Sequence, residues 1–271
     1  MKIINIIKYI IVRFVETKPL INLIIMNNIR FIKFLLPHDK DYLGMSLICN
    51  NEIDSVIVDV GGNVGTSILS FRKLGFINKI YVFEPNEYLV ENYLNKLKVK
   101  DSNISIFNYG LGNENISQNF YLPYYKNKCL HYFVSFSKQY IQNSINITFP
   151  KLKNKIIIKE KKFNFKRFDD IDFPIKPHFI KIDAEGFEHE ILLGMIQTIK
   201  KFKPFFLIEY NEDNFSLVCN ILSEYFTYRY DISQKNFNKI TKNHINEYFI
   251  GRNSKQNKLS SRNIYFLPEE I

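Results

Sequence analysis

The feature that most constrains the fold is an alternation of short apolar runs and helical patterns that begins at residue 53. Short apolar runs separated by helices are typical of parallel strands that are buried on both faces. Strands are predicted over residues 55–59, 79–84, 104–109, 179–183, 205–210 and 263–267, and helices over residues 65–74, 86–98, 189–200 and 215–225. The pattern therefore predicts an α/β domain with a mostly parallel sheet and helices on both faces.

The length of 271 residues fits one such domain with a short extension. We assign residues 1–50 to an N-terminal helical extension and residues 51–271 to the domain. Residues 112–165 break the alternation and are interpreted as an insertion that covers the site, with β-like pieces at 117–122 and 155–165. The first 36 residues are apolar but interrupted by charges, so they are not expected to cross a bilayer. Their pattern predicts a basic amphipathic helix that packs on the core, in an oligomer interface or on a membrane surface.

The net charge of +10 and the pI near 9.2 would ordinarily suggest an anionic partner. Lysine, asparagine and isoleucine are plentiful while Ala184 is the only alanine, which is the composition expected from an AT-rich genome. We therefore attribute the lysine excess to codon usage and expect no nucleic-acid partner. Three distant cysteines, Cys49, Cys129 and Cys219, predict neither a disulfide framework nor a zinc site. The expected setting is cytoplasmic, with peripheral membrane attachment as an alternative.

Ligands of open parallel sheets bind at the carboxyl ends of the strands. The first predicted strand runs through VIVDVGGNVG, which carries Asp59, Gly61, Gly62, Asn63 and Gly65 at its end. The dinucleotide fingerprint would need glycines at positions 63 and 66, where Asn63 and Thr66 stand, so a dehydrogenase loop is disfavoured. The phosphate-binding loop would need a Gly-Lys pair, which does not follow, so that interpretation fails. The loop fits D-x-G-x-N-x-G, in which the acid can hold an amino group of a ligand directly or through water.

The next two strand ends suggest the rest of a nucleoside site. Glu84 follows the second strand, 25 residues after Asp59, and can accept hydrogen bonds from both hydroxyls of a ribose. Its alternative role is that of an acid at a helix N-terminus. After the third strand, Tyr109 and Leu111 can sandwich an adenine ring, and Asn113 could bond its exocyclic amine.

The fourth strand end lies in FIKIDAEGFEHEILLGM, residues 179–195, and is rich in acids. Asp183 and Glu185 flank the strand end, and Glu209 ends the next strand. Carboxylates are costly to hold together unless a ligand, a metal or a proton-transfer role requires them. The alternative is a structural pair between Lys181 and Asp183, with helix-capping acids beside it.

With these residues the chain resembles the FkbM-type methyltransferases, which O-methylate sugars and related natural products. The similarity runs from residue 56 to residue 210 and resumes briefly in RNIYFLP, residues 262–268. The string IKID-x-EG is its most specific part. The resemblance implies a Rossmann-like class I methyltransferase fold with a seven-stranded sheet, and S-adenosylmethionine as the cofactor. It also implies these site residues: Asp59, Gly61, Asn63 and Gly65 in the cofactor loop, Glu84 on the ribose, and Asp183 with Glu185 in the acidic motif. Gly62 stands where the family usually has alanine, and Asn113 where an aspartate is common.

The resulting hypothesis is methyl transfer to a hydroxyl of a small-molecule or glycan acceptor. Asp183 or Glu185 would orient or deprotonate that hydroxyl. A less favoured form of this mechanism uses a divalent ion held by Asp183 and Glu209. We assign no metal ligands. An N-methyltransferase would need N/D-P-P-Y/F after the fourth strand, which is absent. A cofactor-binding module without activity and an NAD-dependent oxidoreductase remain as alternatives.

Overall fold

A computed structural model of the chain describes residues 39–49, 55–172, 176–184, 186–241 and 263–271. The helix predicted over the first 36 residues therefore lies outside the described residues. The chain divides into two compact units. The larger unit comprises Leu36–Ser117 and Phe163–Ile271, and the described part of the smaller unit is Gln118–Lys162.

The described residues contain twelve strands and eight α-helices, together with short 3-10 turns. The strands are β1 Val56–Val60, β2 Lys79–Phe83, β3 Ile104–Phe107, β4 Gly110–Leu111, β5 Ile116–Tyr125, β6 Lys128–Cys129, β7 Ile156–Lys166, β8 Pro177–Ile182, β9 Phe205–Glu209, β10 Phe226–Asp231, β11 Asn236–Lys239 and β12 Asn263–Leu267. The helices are α1 Met45–Ile48, α2 Thr66–Lys73, α3 Glu87–Leu89, α4 Asn95–Lys98, α5 Lys138–Thr148, α6 Glu188–Leu193, α7 Ile196–Phe202 and α8 Phe215–Ile221. The 3-10 turns are Lys40–Gly44, His131–Phe133, Lys153–Lys155 and Phe168–Asp170.

The main sheet has the order β11-β10-β12-β9-β8-β1-β2-β3. Strands β9, β8, β1, β2 and β3 are parallel, whereas β12, β10 and β11 join the β9 edge in antiparallel pairs. A mixed α/β fold is confirmed. The sheet has eight strands within the described residues, one more than the resemblance implied.

The extra strand belongs to the hairpin of β10 and β11, which was not predicted. Its turn is closed by Asp231, whose Oδ1 accepts the backbone N–H groups of Ser233 at 2.7 Å and Gln234 at 3.0 Å. Lys235 follows with φ at 54°. Because a lysine occupies this left-handed position, the turn lacks the Asn-Gly signal by which a hairpin is usually predicted from sequence. Strand β10 also pairs with β12, which adds the hairpin to the main sheet.

Alternate residues of the central strands face two separate cores, as a sheet covered on both faces requires. Val56, Val58 and Val60 of β1 pack in the same core as residues of α6, α7 and α8. Ile57 packs on the other face with residues of α1, α2 and α4. Helices therefore cover both faces of the sheet. The central strands are buried, and the loops at their ends are left as the accessible part.

The helix predicted over residues 189–200 is divided into α6 and α7 at Gly194. The N–H of Gly194 donates to the carbonyls of Glu190 and Ile191, which closes α6. A Cβ on Gly194 would lie 1.9 Å from the carbonyl oxygen of Gly112, so the backbones approach too closely for any other residue. The helix predicted over 86–98 contains a π-helical stretch at Val90–Leu94 between α3 and α4.

The smaller unit has a core of its own, formed by Leu130, Phe149 and Leu152. Helix α5 is capped by Ser137, whose hydroxyl oxygen accepts the N–H of Tyr140 at 3.2 Å. Strands β5 and β6 pair as a hairpin and belong to a second sheet of order β4-β7-β5-β6. Within the residues described for both units, none of the helices is both long and apolar enough to traverse a bilayer.

Candidate functional site

The loop between β1 and α2 is held against its neighbours by backbone contacts. The N–H groups of Gly61 and Gly62 donate to the carbonyl of Phe83 at 3.0 and 3.3 Å, which ties the loop to the end of β2. Gly61 has φ at +78°, and a Cβ there would lie 2.0 Å from the carbonyl oxygen of Asp183. Position 61 therefore requires glycine both for its backbone conformation and for its approach to the end of β8.

The remaining loop residues are equally confined. A Cβ on Gly62 would lie 2.3 Å from Cγ1 of Val82, so this chain favours glycine at the position where the family usually has alanine. Gly65 has φ at +80°, and a Cβ there would lie 2.4 Å from Leu97. Asn63 also has a positive φ, of 47°, and its buried Oδ1 has no hydrogen-bond partner among the described residues. A buried amide oxygen without a partner is costly, so it is a ready acceptor for a ligand donor.

Asp59 points into the protein beneath this loop. Its side chain is buried, the Ser67 hydroxyl donates to its Oδ2, and the ammonium of Lys181 lies 3.1 Å from its Oδ1. Both carboxylate oxygens thus have protein partners. In this arrangement Asp59 acts as the buried counterion of Lys181.

Lys181 connects the loop to the end of β8. Its ammonium donates to the carbonyls of Val60 at 3.4 Å and Gly61 at 3.1 Å, and it lies 3.6 Å from Oδ2 of Asp183. Burial alone would lower the pKa of Lys181, but the negative charges of Asp59 and Asp183 outweigh burial and raise this pKa above its ordinary value. A charged ammonium therefore stays in place. The ion pair offered as the alternative role of Asp183 is present, although the Asp183 side chain remains 41% exposed.

The structure brings Glu84 and the loop together. Oε2 of Glu84 accepts the N–H of Asn63 at 2.8 Å, and Oε1 accepts the N–H of Asn86 at 2.9 Å. The side chain is nevertheless buried, and burial raises the pKa of Glu84 to about 7 despite these N–H donors and the charge of Lys181. Each oxygen keeps a second acceptor direction, so an ionised Glu84 can accept two further donors from one ligand.

The three residues assigned to the adenine ring follow the end of β3 and differ in their exposure. The ring of Tyr109 is half-buried, 5.7 Å from the ring of Phe83, and the ammonium of Lys166 lies 4.7 Å from its centroid. Leu111 is buried in the core. Asn113 is held through its backbone, whose carbonyl accepts from Arg167 at 3.0 Å. Tyr109 and Asn113 are therefore both partly exposed, whereas Leu111 is buried.

The loop after β8 is organised by Glu188, a buried acid at the start of α6. Its Oε1 accepts the N–H groups of Ala184 at 3.2 Å and Gly186 at 3.1 Å, and its Oε2 accepts the amide of Asn214 at 2.9 Å. Glu185, which lies between these anchors, is outside the described residues. Glu188 thus fixes the backbone on both sides of position 185.

Three side chains or backbone donors of this site were not predicted: Ser67, Asn86 and Asn214. Ser67 lies in the first turn of α2, and Asn86 caps α3 by accepting the N–H of Tyr88 at 3.1 Å. The Pro-Asn pair after β2 is a turn and cap signal that could have indicated Asn86. Asn214 is remote in sequence from Glu188, so nothing in the sequence indicated their contact.

The acids at the strand ends do not form a metal cluster within the described ranges. No group of three or more His, Cys, Asp or Glu side chains close enough to hold an ion occurs there, and Glu185 is outside those ranges. Glu209 ends β9 and is half-buried. His189 lies 3.4 Å from Glu190, which gives it a local partner on α6.

Comparison with known proteins gives a family match and two structural likenesses. The family model of the methyltransferase FkbM domain matches residues 59–230. No curated protein matches the chain significantly. The crystal structure of the methyltransferase FkbM from Methylobacillus flagellatus KT is 17% identical, with a TM-score of 0.47, over 83% of this chain and 47% of that one. The precorrin-6y C5,15-methyltransferase from Geobacter metallireducens GS-15 is 12% identical, with a TM-score of 0.39, over 84% of each chain. This chain thus spans less than half of the first of these proteins.

Proposed function

The chain belongs to the FkbM methyltransferase family, which confirms the resemblance seen in its sequence, and from that premise we propose a specific reaction. The enzyme transfers a methyl group from S-adenosylmethionine to a hydroxyl oxygen of a sugar, a glycan or a related natural product. The observation that carries this proposal is the junction of Glu84 with the loop at Asn63, where a buried carboxylate and a glycine-rich turn meet at adjacent strand ends.

The residues at this junction fit the cofactor. A ribose offers two neighbouring hydroxyl donors, and Glu84 has one acceptor direction left on each oxygen. The unpartnered Oδ1 of Asn63 can accept a further donor. The glycine at position 61 lets the loop lie directly against the end of β8, which holds Asn63 beside Glu84. Tyr109 would lie against the adenine, and we retain Leu111 and Asn113 as weaker members of that subsite.

When bound, the cofactor supplies an electrophilic methyl group, so the protein has to align the acceptor and remove one proton. Asp183 is suited to proton removal because its carboxylate is partly exposed and is oriented by the buried ammonium of Lys181, 3.6 Å away. Its carboxylate would accept the hydroxyl proton while the oxygen bonds to the methyl carbon and the bond between that carbon and the sulfonium sulfur breaks, which leaves a neutral thioether. Glu185 is the second candidate for this role.

Isothermal titration with S-adenosylhomocysteine and with NAD tests the cofactor. We expect micromolar-range binding of the first and no binding of NAD. Glu84→Ala should lose S-adenosylhomocysteine binding, whereas Asp183→Asn should bind it normally and lose turnover, because only the second residue faces the acceptor. NAD binding without S-adenosylhomocysteine binding would overturn the proposal, and normal behaviour of both variants would overturn the assignment of residues.

The acceptor class is tested by screening nucleotide sugars, glycolipids and polyketides for incorporation of a labelled methyl group. Label that resists mild base is not a methyl ester, and mass spectrometry of the product then shows whether it is on an oxygen, as O-methylation of a hydroxyl requires. Transfer to nitrogen or carbon acceptors only would refute the hydroxyl assignment while leaving methyl transfer intact.

A further inference from the structure

Positive charge is concentrated in Gln118–Lys162, the described part of the smaller unit. Gln118–Lys162 contains nine lysines and one glutamate, with neither arginine nor aspartate, and so carries +8 of the net charge of +10. All nine lysines are exposed. AT-rich codon usage enriches lysine along a whole chain but does not remove acids from one segment. Codon usage therefore does not account for this distribution.

Large apolar side chains are exposed on the same unit. They are Tyr132, Phe136, Tyr140, Ile147 and Ile157. Five of the eleven large apolar side chains exposed among the described residues therefore fall within this one segment, a density that favours an interaction site over scattered surface residues. The unit therefore combines the two features of a surface that binds an anionic and partly apolar partner.

Helix α5 shows how the two features are arranged. Ile141 and Ile145 are buried and form the stripe that faces the core. Tyr140 and Ile147, which are seven residues apart, lie along a different stripe and are exposed. The helix thus has a second apolar stripe that the unit itself does not bury.

Strand β7 also exposes an apolar side chain, here on the same face as lysines. Side chains alternate along a strand, so Ile157, Lys159 and Lys161 share one face. All three are exposed. An aliphatic residue on this face is therefore accompanied by ammonium groups.

We propose that Gln118–Lys162 binds the surface of membranes that contain anionic lipids. The lysines would lie near the headgroups, and Ile147, Ile157 and the exposed aromatic rings would enter the boundary between headgroups and acyl chains. The exposed tyrosine and phenylalanine rings are compatible with either partner, but Gln118–Lys162 contains no arginine and its exposed isoleucines cannot stack on bases, so a nucleic acid is the less suitable one. This role goes beyond methyl transfer and does not depend on it.

Sedimentation of the full-length protein with lipid vesicles tests the proposal. We expect binding to vesicles of phosphatidylcholine with phosphatidylglycerol, no binding to phosphatidylcholine alone, and weakening as salt is raised above about 0.1 M, where charges about 10 Å apart are already screened. Absence of binding to the anionic vesicles would overturn the proposal. So would tighter binding to duplex DNA or single-stranded RNA than to those vesicles.

The chain supplies a matched pair of lysine clusters as a control. Residues 151–155 read KLKNK and residues 96–100 read KLKVK, with all lysines exposed and the leucine buried in both. The triple variants are Lys151→Gln, Lys153→Gln and Lys155→Gln in the smaller unit, and Lys96→Gln, Lys98→Gln and Lys100→Gln in the larger unit. The first should weaken partitioning about 100-fold, at about fivefold for each lysine near the lipid. Since the second removes the same net charge, an equal loss in both would overturn the proposal.

The apolar contribution has its own matched pair. Ile147 is 82% exposed in the smaller unit, and Val99 is 87% exposed in the larger unit. Ile147→Asn should weaken vesicle binding about tenfold, the order expected for a buried aliphatic side chain, while Val99→Asn should not change it. Unchanged binding of Ile147→Asn would contradict insertion. S-adenosylhomocysteine affinity and the thermal midpoint, measured for every variant, separate this outcome from misfolding and from failure of the proposed reaction.

Discussion

The larger and the smaller unit use charge in opposite ways. At the strand ends of the larger unit, Asp59, Glu84 and Lys181 are buried, and every one has partners within 3.2 Å. In the described part of the smaller unit, Gln118–Lys162, nine lysines are exposed and the segment contains a single glutamate. The buried charges at the strand ends fix backbone positions, whereas the exposed lysines produce a diffuse positive electrostatic potential.

The energetic consequences differ accordingly. Removing one partner from a buried pair strands a charge in low dielectric, which costs several kcal/mol. Exposed charges interact weakly through water, so each contributes little to folding and the contributions add. The strand ends should therefore respond sharply to single substitutions, whereas the smaller unit should respond to the number of lysines.

The largest effect is expected for Lys181→Met. This variant leaves Asp59 buried without a counterion and should lower the free energy of unfolding by about 3–5 kcal/mol, measured by urea denaturation. Cofactor affinity should fall with it, because the ammonium also holds the carbonyls of Val60 and Gly61.

The double variant Asp59→Asn with Lys181→Met is the control for that prediction. Removing both charges should recover part of the loss, and the recovery measures the coupling between the two residues. Additive losses would mean that the buried pair does not stabilise the strand ends, and the contrast between the units would fail.

Gly61→Ala should have the next largest effect. The new Cβ would meet the carbonyl of Asp183 at 2.0 Å in a left-handed backbone conformation, so we expect a loss of about 2–4 kcal/mol in unfolding free energy. S-adenosylhomocysteine binding, measured by titration, should be lost because the loop must move.

Gly75→Ala separates conformation from crowding. Gly75 has φ at +88°, but a Cβ at this position would have no neighbouring atom within 4 Å, so alanine there should cost only about 1 kcal/mol of conformational strain. A loss at Gly61 no larger than that at Gly75 would show that the contact with Asp183 is not limiting.

The parallel strands and their polar ends were predictable because topology alone gathers them. Strands that are buried on both faces need continuous apolar runs, and their carboxyl ends must meet at one edge. Asp59, Glu84 and Asp183 could therefore be selected from the sequence, and the structure places the loop beside the other two strand ends.

The contacts that hold these residues were not predictable to the same degree. Asn214 reaches Glu188, and Gly194 must meet Gly112, only after the chain has folded. The same holds for the hairpin of β10 and β11, whose short polar strands have no strong local pattern. Sequence periodicity thus indicated which strand ends meet, while the choice of partners depended on tertiary contacts.

Glu84 gives a smaller effect with a defined sign. Burial raises its pKa to about 7, and only the ionised form offers all its acceptors to ribose hydroxyls. The apparent affinity for S-adenosylhomocysteine should therefore rise about tenfold from pH 6 to pH 8. Stability without ligand should change in the opposite sense, because a raised acid pKa contributes stability below the unfolded value that is lost as pH rises through the folded one. Titrations at several pH values test the first trend, and Glu84→Gln should flatten it.

The smallest effect is expected in the smaller unit and is the strictest check on the contrast. Substituting Lys153 with glutamine removes an exposed charge whose neighbours in sequence, Lys151 and Lys155, are also exposed lysines. The unfolding free energy should change by less than about 0.5 kcal/mol, and its sign should be stabilising because like charges repel. Urea denaturation at low and at high salt measures both points, since the gain should vanish when charges are screened. A loss of stability that resists salt would mean that Lys153 serves the fold as Lys181 does, and that the exposed lysines are structural rather than available to a partner.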